Sequence, residues 1–155
     1  MIRASSITLV QAYQAKLIEI GDALGYETRR SYKKSAAGDA VWLDRRGVRI
    51  GGDEPLPVVA FKLLTFETAK EIREAIATLQ AISPALGVLV VIEEAYAERG
   101  RLLKRFDADT YPDHIQQIAR GLADGIGLNF RVEVWSDSRV QDLYEKEVEG
   151  RLKFA

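Results

Sequence analysis

The sequence predicts a single α/β domain in which helices cover both sides of a mixed sheet. Two segments read as core strands: Val58 to Leu64, which is apolar apart from Lys62, and Val88 to Ile92, which is continuously apolar and has the composition of a strand covered on both faces. The segment between them has helical spacing, so the three elements form a βαβ unit with parallel strands and a right-handed connection. A third pattern, from Phe130 to Trp135, alternates apolar with polar residues as a half-buried strand does.

The size and composition of the chain exclude several classes of protein. Its 155 residues fit one domain, 1–155, that buries roughly 70% of the unfolded surface. There is no cysteine, and the one histidine, His114, cannot make a zinc site, so any metal would be a hard cation on oxygen ligands. No apolar stretch could span a bilayer and no secretory signal is evident, so we expect a cytoplasmic protein that does not bind membranes.

The first predicted element is a helix from about Ser6 to Leu24. Apolar residues recur along it at helical spacing, Ser5 or Ser6 can cap its start, and Gly25 ends it. The aromatic and threonine residues of Tyr26 to Tyr32 then predict a strand.

The middle of the chain adds a second short strand and the βαβ unit. Ala40 to Leu43 is apolar and predicts a strand, and the glycine-rich link that follows has room for a small strand at Val48 to Ile50. Thr68 has capping-box spacing to Glu71 at the start of the crossover helix, which Pro84 closes off.

The last third of the chain predicts two more helices around the alternating strand. Pro112 begins an amphipathic helix that reaches Ile126, and a closing helix runs from about Ser138 to Gly150. The strand between them has one buried face and suits the edge of a sheet. The predicted order is therefore αβββαβ followed by αβα.

Two charged residues adjoin the predicted core. Asp39 directly precedes the strand at Ala40, and Lys62 interrupts the apolar strand from Val58 to Leu64. A charge in a core strand must be desolvated or reach a cleft, so Lys62 is unfavourable without a partner or a function. Two explanations stay open: Asp39 shapes a turn while the Lys62 stem packs on apolar neighbours, or both residues line one functional cleft.

The element order resembles the restriction-endonuclease-like fold of the PD-(D/E)xK superfamily over about residues 5 to 92. In this comparison Gly38 to Trp42 is the strand that begins with the aspartate, and Val58 to Lys62 is the strand that follows it. In such nucleases the aspartate and an acid on the next strand bind magnesium, and a lysine two residues further on activates water. An acid on the first helix often joins them. The resemblance thus implies Asp39, Lys62 and Glu19 as the catalytic group, with Asp39 and Glu19 as ligands of Mg²⁺ or Mn²⁺ if the protein is active.

The strand of Lys62 departs from the family pattern. Ala60, Lys62 and Leu64 point to the same side of a strand, so two registers are open. If Lys62 is the family lysine, Ala60 stands where the acid belongs; if Lys62 stands in the acid's place, Leu64 replaces the second catalytic group. A carboxylate ligand is absent in both registers, and a hard dication would bind poorly. In the second register the Lys62 ammonium could pair directly with Asp39.

Basic residues lie on both sides of Asp39 and Asp44 along the chain. If they share a face with a second basic cluster they predict phosphate contacts, although solvated loops explain them equally well. The residues expected to contact nucleic acid are Arg29, Arg30, Lys33, Lys34, Arg45 and Arg46, with Arg49 beside them; the second cluster comprises Arg99, Arg101, Lys104 and Arg105.

Three functions follow as hypotheses. The first is a nuclease-like domain with a weakened or lost metal site that binds DNA or a protein partner. The second is an active Mg²⁺- or Mn²⁺-dependent endonuclease in which Glu54 or Glu67 supplies the displaced ligand. The third is a homo-oligomeric α/β scaffold in which Lys62 forms a structural salt bridge. The first is favoured because the expected strand acid is absent; Trp42 and Trp135 are interpreted as packing residues.

Overall fold

The computed structural model describes residues 2–32, 39–65, 69–94, 117, 119–122, 124 and 127–150. Helical residues at 117, 119–122 and 124 lie between the fourth and fifth strands, and a π-helical segment, Glu145–Glu149, follows the last helix. None of the helices in these ranges is long and apolar enough to cross a membrane. The other elements are α1 (Ile2–Ala23), β1 (Glu27–Arg29), β2 (Ala40–Asp44), α2 (Arg46–Arg49), β3 (Leu56–Leu64), α3 (Ala69–Ile82), β4 (Leu86–Val91), β5 (Arg131–Ser136) and α4 (Asp137–Tyr144).

The described strands form a five-stranded sheet in the order β1-β2-β3-β4-β5. β1 and β3 each pair antiparallel with β2, whereas β3, β4 and β5 run parallel. The predicted mixed sheet is confirmed, and so is the parallel βαβ unit, in which Phe61 lies opposite Val88. The prediction that the alternating strand lies at an edge is also confirmed within the described sheet.

Each face of the sheet is covered by its own layer of helices. Along β3, Phe61 and its alternate neighbours pack towards α1 and α4, while Ala60 and Leu64 pack towards α3 and the helical residue Ala119. This division follows from the two-residue period of a strand. We call the two sides the α1 face and the α3 face.

The two tryptophans are packing residues, as predicted. Trp42 and Trp135 lie in the core of the α1 face, where Phe61 stands between them, its ring centroid 4.7 Å from that of Trp42. Tyr26 stacks on Trp42, whose indole N–H donates a 2.9 Å hydrogen bond to a carbonyl of α1. Gly21 permits this approach, because a Cβ at that position would lie 2.5 Å from the indole nitrogen.

The prediction of a strand at Val48 to Ile50 is wrong, because these residues lie in and directly after the short helix α2. β2 and β3 pair with each other as far as Asp44 and Leu56, and β1 and β4 pair with their other sides, so the link cannot pair with either of the strands that it joins. Gly51, with a φ of 103°, provides the turn after α2 that an L-residue would adopt only with strain.

The predicted helix ends also need correction. α1 is already helical at Ile2, so neither Ser5 nor Ser6 caps its start. Nothing in the sequence before Ser5 breaks a helix, since no glycine or proline occurs there. The closing helix changes to π-helical geometry at Glu145, and the strand predicted from Tyr26 to Tyr32 is limited to the three residues of β1.

Candidate functional site

Asp39 and Lys62 meet where β2 begins. Ala40 pairs with Phe61, and the Asp39 N–H donates a 3.0 Å hydrogen bond to the Phe61 carbonyl. This pairing brings the Asp39 side chain next to the following residue of β3, Lys62. The Lys62 Nζ lies 3.7 Å from Asp39 Oδ2, so the two side chains form an ion pair.

The Asp39 carboxylate also terminates the β2/β3 ladder. Its Oδ2 accepts a 2.6 Å hydrogen bond from the Leu63 backbone N–H, at a point where β2 has not yet begun. On the other side, Gln14 of α1 donates a 2.6 Å hydrogen bond to the Asp39 carbonyl. Two elements therefore hold Asp39 in position, and the charge of its carboxylate stabilises an amide that would otherwise lack an acceptor.

The surroundings of Lys62 explain how a charge is tolerated within a core strand. Its neighbours on the α3 face, Ala60 and Leu64, are 0% and 2% exposed, whereas its own side chain retains 22% exposure. The stem packs among apolar groups and the ammonium reaches the Asp39 carboxylate, which is 24% exposed. Both positions at which the family pattern would place a second acidic or catalytic group are therefore filled by core side chains.

Glu19 does not join this pair. It is exposed on α1, which covers the opposite face of the sheet from Lys62. A hydrogen bond to the Glu19 carboxylate, with smaller contributions from desolvation and nearby negative charge, raises the pKa of the Tyr144 hydroxyl. The resemblance implied a role for Glu19 as a metal ligand, and its position on the other layer brings it next to α4 instead.

The donors beside Asp39 do not fit a Mg²⁺ or Mn²⁺ ion. Across the described residues, no three acidic or histidine side chains converge to hold a metal. The one carboxylate at the site already accepts an amide hydrogen bond, and a lysine ammonium lies beside it. Of the displaced ligands considered, Glu54 accepts a 3.4 Å hydrogen bond from Tyr32, and Glu67 lies outside the described residues.

The structure divides the predicted nucleic-acid residues between two ends of the sheet. Arg29, and Arg30 after it, lie at the Asp39 end of β1, because Arg29 pairs with Val41. Arg45 and Arg46 follow the opposite end of β2, about 17 Å away for a strand of five residues. This division concerns the backbone positions, because the Arg29 and Arg45 guanidinium groups converge on one carboxylate, that of Glu27. Lys33, Lys34, Arg99, Arg101, Lys104 and Arg105 lie outside the described residues.

Most of the described arginines in this set already have carboxylate partners. Arg29 and Arg45 both pair with Glu27, and Arg46 binds Asp44 with an Nη2 to Oδ2 distance of 2.7 Å. The hydrogen bonds from Arg46 lower the pKa of the Asp44 carboxyl. Arg30 is exposed and forms no ion pair with any described residue. It directly follows β1 at the Asp39 end of the described sheet and, unlike Arg29, has no carboxylate partner among the described residues.

A group of carboxylates lies at the carboxyl end of β4. The Glu93 N–H donates a 3.1 Å hydrogen bond to the Asp137 carboxylate at the start of α4. Partial desolvation and the charge of Asp137 raise the pKa of Glu93, and burial together with Asp137 and Glu94 raises that of the Tyr13 hydroxyl. Negative charge at Glu93 is consequently less favourable in the folded protein than in the unfolded chain.

Replacing Glu93 by glutamine should raise the melting temperature slightly near neutral pH. The folded-state pKa lies above the ordinary value of 4.5, so the penalty is absent below that value and develops as the pH rises through it. Melting curves recorded across this pH range test the prediction. Glu74→Gln, at an exposed position on α3, controls for the loss of one negative charge. A Glu93→Gln difference that is independent of pH would contradict the prediction.

Sequence reasoning missed Gln14, which connects α1 to the Asp39 backbone. Glutamine on an amphipathic helix gives no signal of its own, because its partner is a backbone carbonyl 25 residues further along the chain. The acceptor role of Asp39 for the Leu63 amide was also missed, since a turn residue and a strand-ending carboxylate look identical in sequence. The first contact depends on how α1 lies against the sheet, and the second depends on the register between β2 and β3.

Neither a family model, nor a curated protein, nor a solved structure matches this chain. The likeness to PD-(D/E)xK nucleases consequently depends on the element order and on two residues, Asp39 and Lys62. Any functional conclusion has to come from the chemistry that these two side chains and their neighbours can perform.

Proposed function

We propose that this chain is a nuclease-like domain of the PD-(D/E)xK type that lacks the strand carboxylate and binds nucleic acid at the Asp39 end of its sheet. The observation that carries the proposal is the Asp39–Lys62 ion pair, with its 3.7 Å separation across β2 and β3. The order α1, β1, β2, β3, α3, β4 supports it, because this is the αβββαβ arrangement of that superfamily. Among the described residues from α1 to β4, the short α2 is an addition to that order.

The ion pair has the chemistry of a phosphate-binding site rather than of a metal site. A lysine ammonium carries three donors, and at 3.7 Å the Asp39 carboxylate is too far away to accept a hydrogen bond from them. The 22% exposure of the Lys62 side chain leaves the ammonium within reach of solvent, and therefore of a phosphate oxygen. The ammonium also supplies a fixed positive charge next to the carboxylate, in the region where the related nucleases bind a cation.

We expect weak or absent cleavage because too few carboxylates lie beside Asp39 to bind a metal ion. Metal-dependent phosphodiester hydrolysis needs carboxylates that hold the ion beside the scissile phosphate. Here Ala60 and Leu64 are core residues, and Asp39 is occupied by an amide and an ammonium. Phosphate binding needs none of the missing groups, so binding without efficient cleavage is the function that this site supports best.

Binding to short duplex and single-stranded DNA should weaken steeply as the salt concentration rises. A fourfold increase in KCl lowers the affinity about tenfold when two phosphates are contacted. Fluorescence anisotropy at the two salt concentrations measures this effect. Arg30→Gln should reduce the salt slope by about 0.9, as expected for the loss of one phosphate contact.

Arg46→Gln is the matched control, because Arg46 is highly exposed but lies at the other end of β2 and is already paired with Asp44. It should bind DNA like the wild type. Affinity that does not respond to salt would contradict the proposal, and so would equal effects of the two substitutions. Efficient cleavage in Mg²⁺ or Mn²⁺ that is lost in Asp39→Asn would instead favour an active nuclease. Failure to bind DNA, with a stable oligomer in light scattering, would favour the scaffold.

A further inference from the structure

A second candidate site lies beside β5, two strands away from Lys62. It is a cavity of about 570 Å³ on the flank of the sheet, between β5 and the helical residues Ala119, Arg120 and Asp124. Pockets that hold small organic ligands typically measure about 300–1,000 Å³. Strands are spaced about 4.8 Å apart, so β5 lies about 10 Å from β3. The cavity is therefore separate from the Asp39–Lys62 pair.

One wall of the cavity is apolar and backed by the core. Val132 and Val134 pack on the α3 face, and Leu128 and Phe130 continue the same surface. The Phe130 ring lies directly on β4, because a Cβ at Gly87 would come within 2.7 Å of its Cε2 atom. The absence of a side chain at Gly87 thus lets the ring form part of the wall. This surface suits a flat apolar group.

Cationic side chains also line the cavity, and Arg139 reaches it from the α1 face of β5. The Arg139 guanidinium lies 4.5 Å from the centroid of the Trp135 ring, which holds it in place by a cation–π contact. The Glu133 carboxylate already interacts with two other groups. Arg131 Nε lies 3.7 Å from it, and the Trp135 indole N–H donates a 3.4 Å hydrogen bond to it. Arg139 contacts no carboxylate within the described part of the chain.

Arg120 gives the cavity a second cation from the helical residues. Its side chain is exposed and, among described residues, it forms no ion pair. The described lining contains three arginines, the third being Arg131, against two carboxylates, Asp124 and Glu133. With Glu133 already paired, positive charge is in excess beside the apolar wall. An anionic group would neutralise that excess through charge-assisted hydrogen bonds.

We propose that this cavity binds a small organic anion, a ligand with a flat apolar body and one carboxylate, phosphate or sulfonate group. The apolar body packs on Phe130, Val132 and Val134, and the anionic group accepts hydrogen bonds from Arg139 and Arg120. The site is independent of the nucleic-acid function proposed above, because it shares no residue with the Asp39 end of the sheet.

The test uses 8-anilinonaphthalene-1-sulfonate as the anionic probe and the uncharged N-phenyl-1-naphthylamine as its matched apolar analogue. Fluorescence titration of the full chain should give saturable binding of the sulfonate at one site. Arg139→Gln and Arg120→Gln should each weaken sulfonate binding about tenfold, the effect of losing one hydrogen bond to a charged group. Neither substitution should alter binding of the uncharged analogue, and Val134→Phe should weaken both probes.

Arg46→Gln, at the far end of β2, is the control and should bind both probes like the wild type. Amide chemical shifts should change around residues 128–134 on addition of the sulfonate. Non-saturable binding would overturn the proposal, as would wild-type affinity for the sulfonate in both arginine variants or shifts confined to Arg45, Arg46 and Arg49. Displacement of the probe by stoichiometric duplex DNA would also overturn it, by assigning the cavity to a nucleic-acid surface. Circular dichroism of each variant verifies folding, and two arginine positions keep the test decisive if one variant fails.

Discussion

Replacing Ala60 by glutamate should lower the free energy of unfolding by about 3 kcal/mol or more, because it places a carboxylate inside a closed apolar core. Ala60 is 0% exposed and lies in the same cluster as Val41, Leu64 and Ile72. The substitution restores the residue type that the PD-(D/E)xK pattern expects two positions before the lysine. We nevertheless expect a destabilised protein and no metal site, since the surrounding side chains come from the core between β3 and α3.

Urea unfolding with and without millimolar Mg²⁺ measures this effect. Ala60→Gln is the matched control, because glutamine has nearly the same volume without the charge, and it should be less destabilising than glutamate. Neither variant should be stabilised by Mg²⁺. If Mg²⁺ stabilised Ala60→Glu but not Ala60→Gln, position 60 would open into a metal-binding cleft. The proposed loss of metal-dependent activity would then result from the absence of one carboxylate at position 60, which a single substitution restores.

Replacing Asp39 by alanine should lower the free energy of unfolding by about 2 kcal/mol, the cost of leaving a partly buried donor without its acceptor. The substitution removes the oxygen that accepts the Leu63 N–H and leaves Lys62 without its counter-charge. Asp39→Asn should cost less, because the amide oxygen can still accept the Leu63 hydrogen bond. Adding Lys62→Met to Asp39→Ala should recover part of the loss, since no unpaired ammonium then remains near the core.

A double-mutant cycle in urea provides the measurement, and the coupling energy between positions 39 and 62 is its readout. Asp44→Ala is the control at the other end of β2. Asp44 pairs with the highly exposed Arg46, so its loss should change stability less than the loss of Asp39. Equal stability of Asp39→Ala and the wild type would show that the carboxylate neither ends the ladder nor neutralises Lys62, and the site would lose its structural basis.

The fold of β3 and its neighbours could be predicted from the sequence. The apolar run from Val58 to Leu64, the helix after it and the next apolar run were sufficient to predict a parallel βαβ unit, which is confirmed. Local periodicity carries that information, because burying one face of a strand or helix requires apolar residues at a fixed spacing. The unfavourable position of Lys62 was equally visible, and the ion pair with Asp39 resolves it.

The functional roles predicted for individual residues depend on distances between side chains in the folded protein, and the periodicity of the sequence does not encode those distances. Glu19 lies on the helix that the PD-(D/E)xK resemblance selects, yet that helix covers the α1 face and turns Glu19 towards Tyr144. The basic residues are close in sequence, but the antiparallel direction of β2 carries Arg45 and Arg46 to the far end of the sheet from Asp39. The link at Val48 to Ile50 became a helix where the two strands that it joins were already paired on both sides.

Residue order alone was enough to establish a mixed α/β domain, its parallel unit and the need for a partner at Lys62. These properties arise from burial and local spacing, which every short segment of the chain carries within itself. The identity of that partner, the core location of Ala60 and the placement of Glu19 on the other layer arose when distant segments packed together. A carboxylate acts on a ligand only across a few ångströms, and such proximity is created by packing rather than by position along the chain.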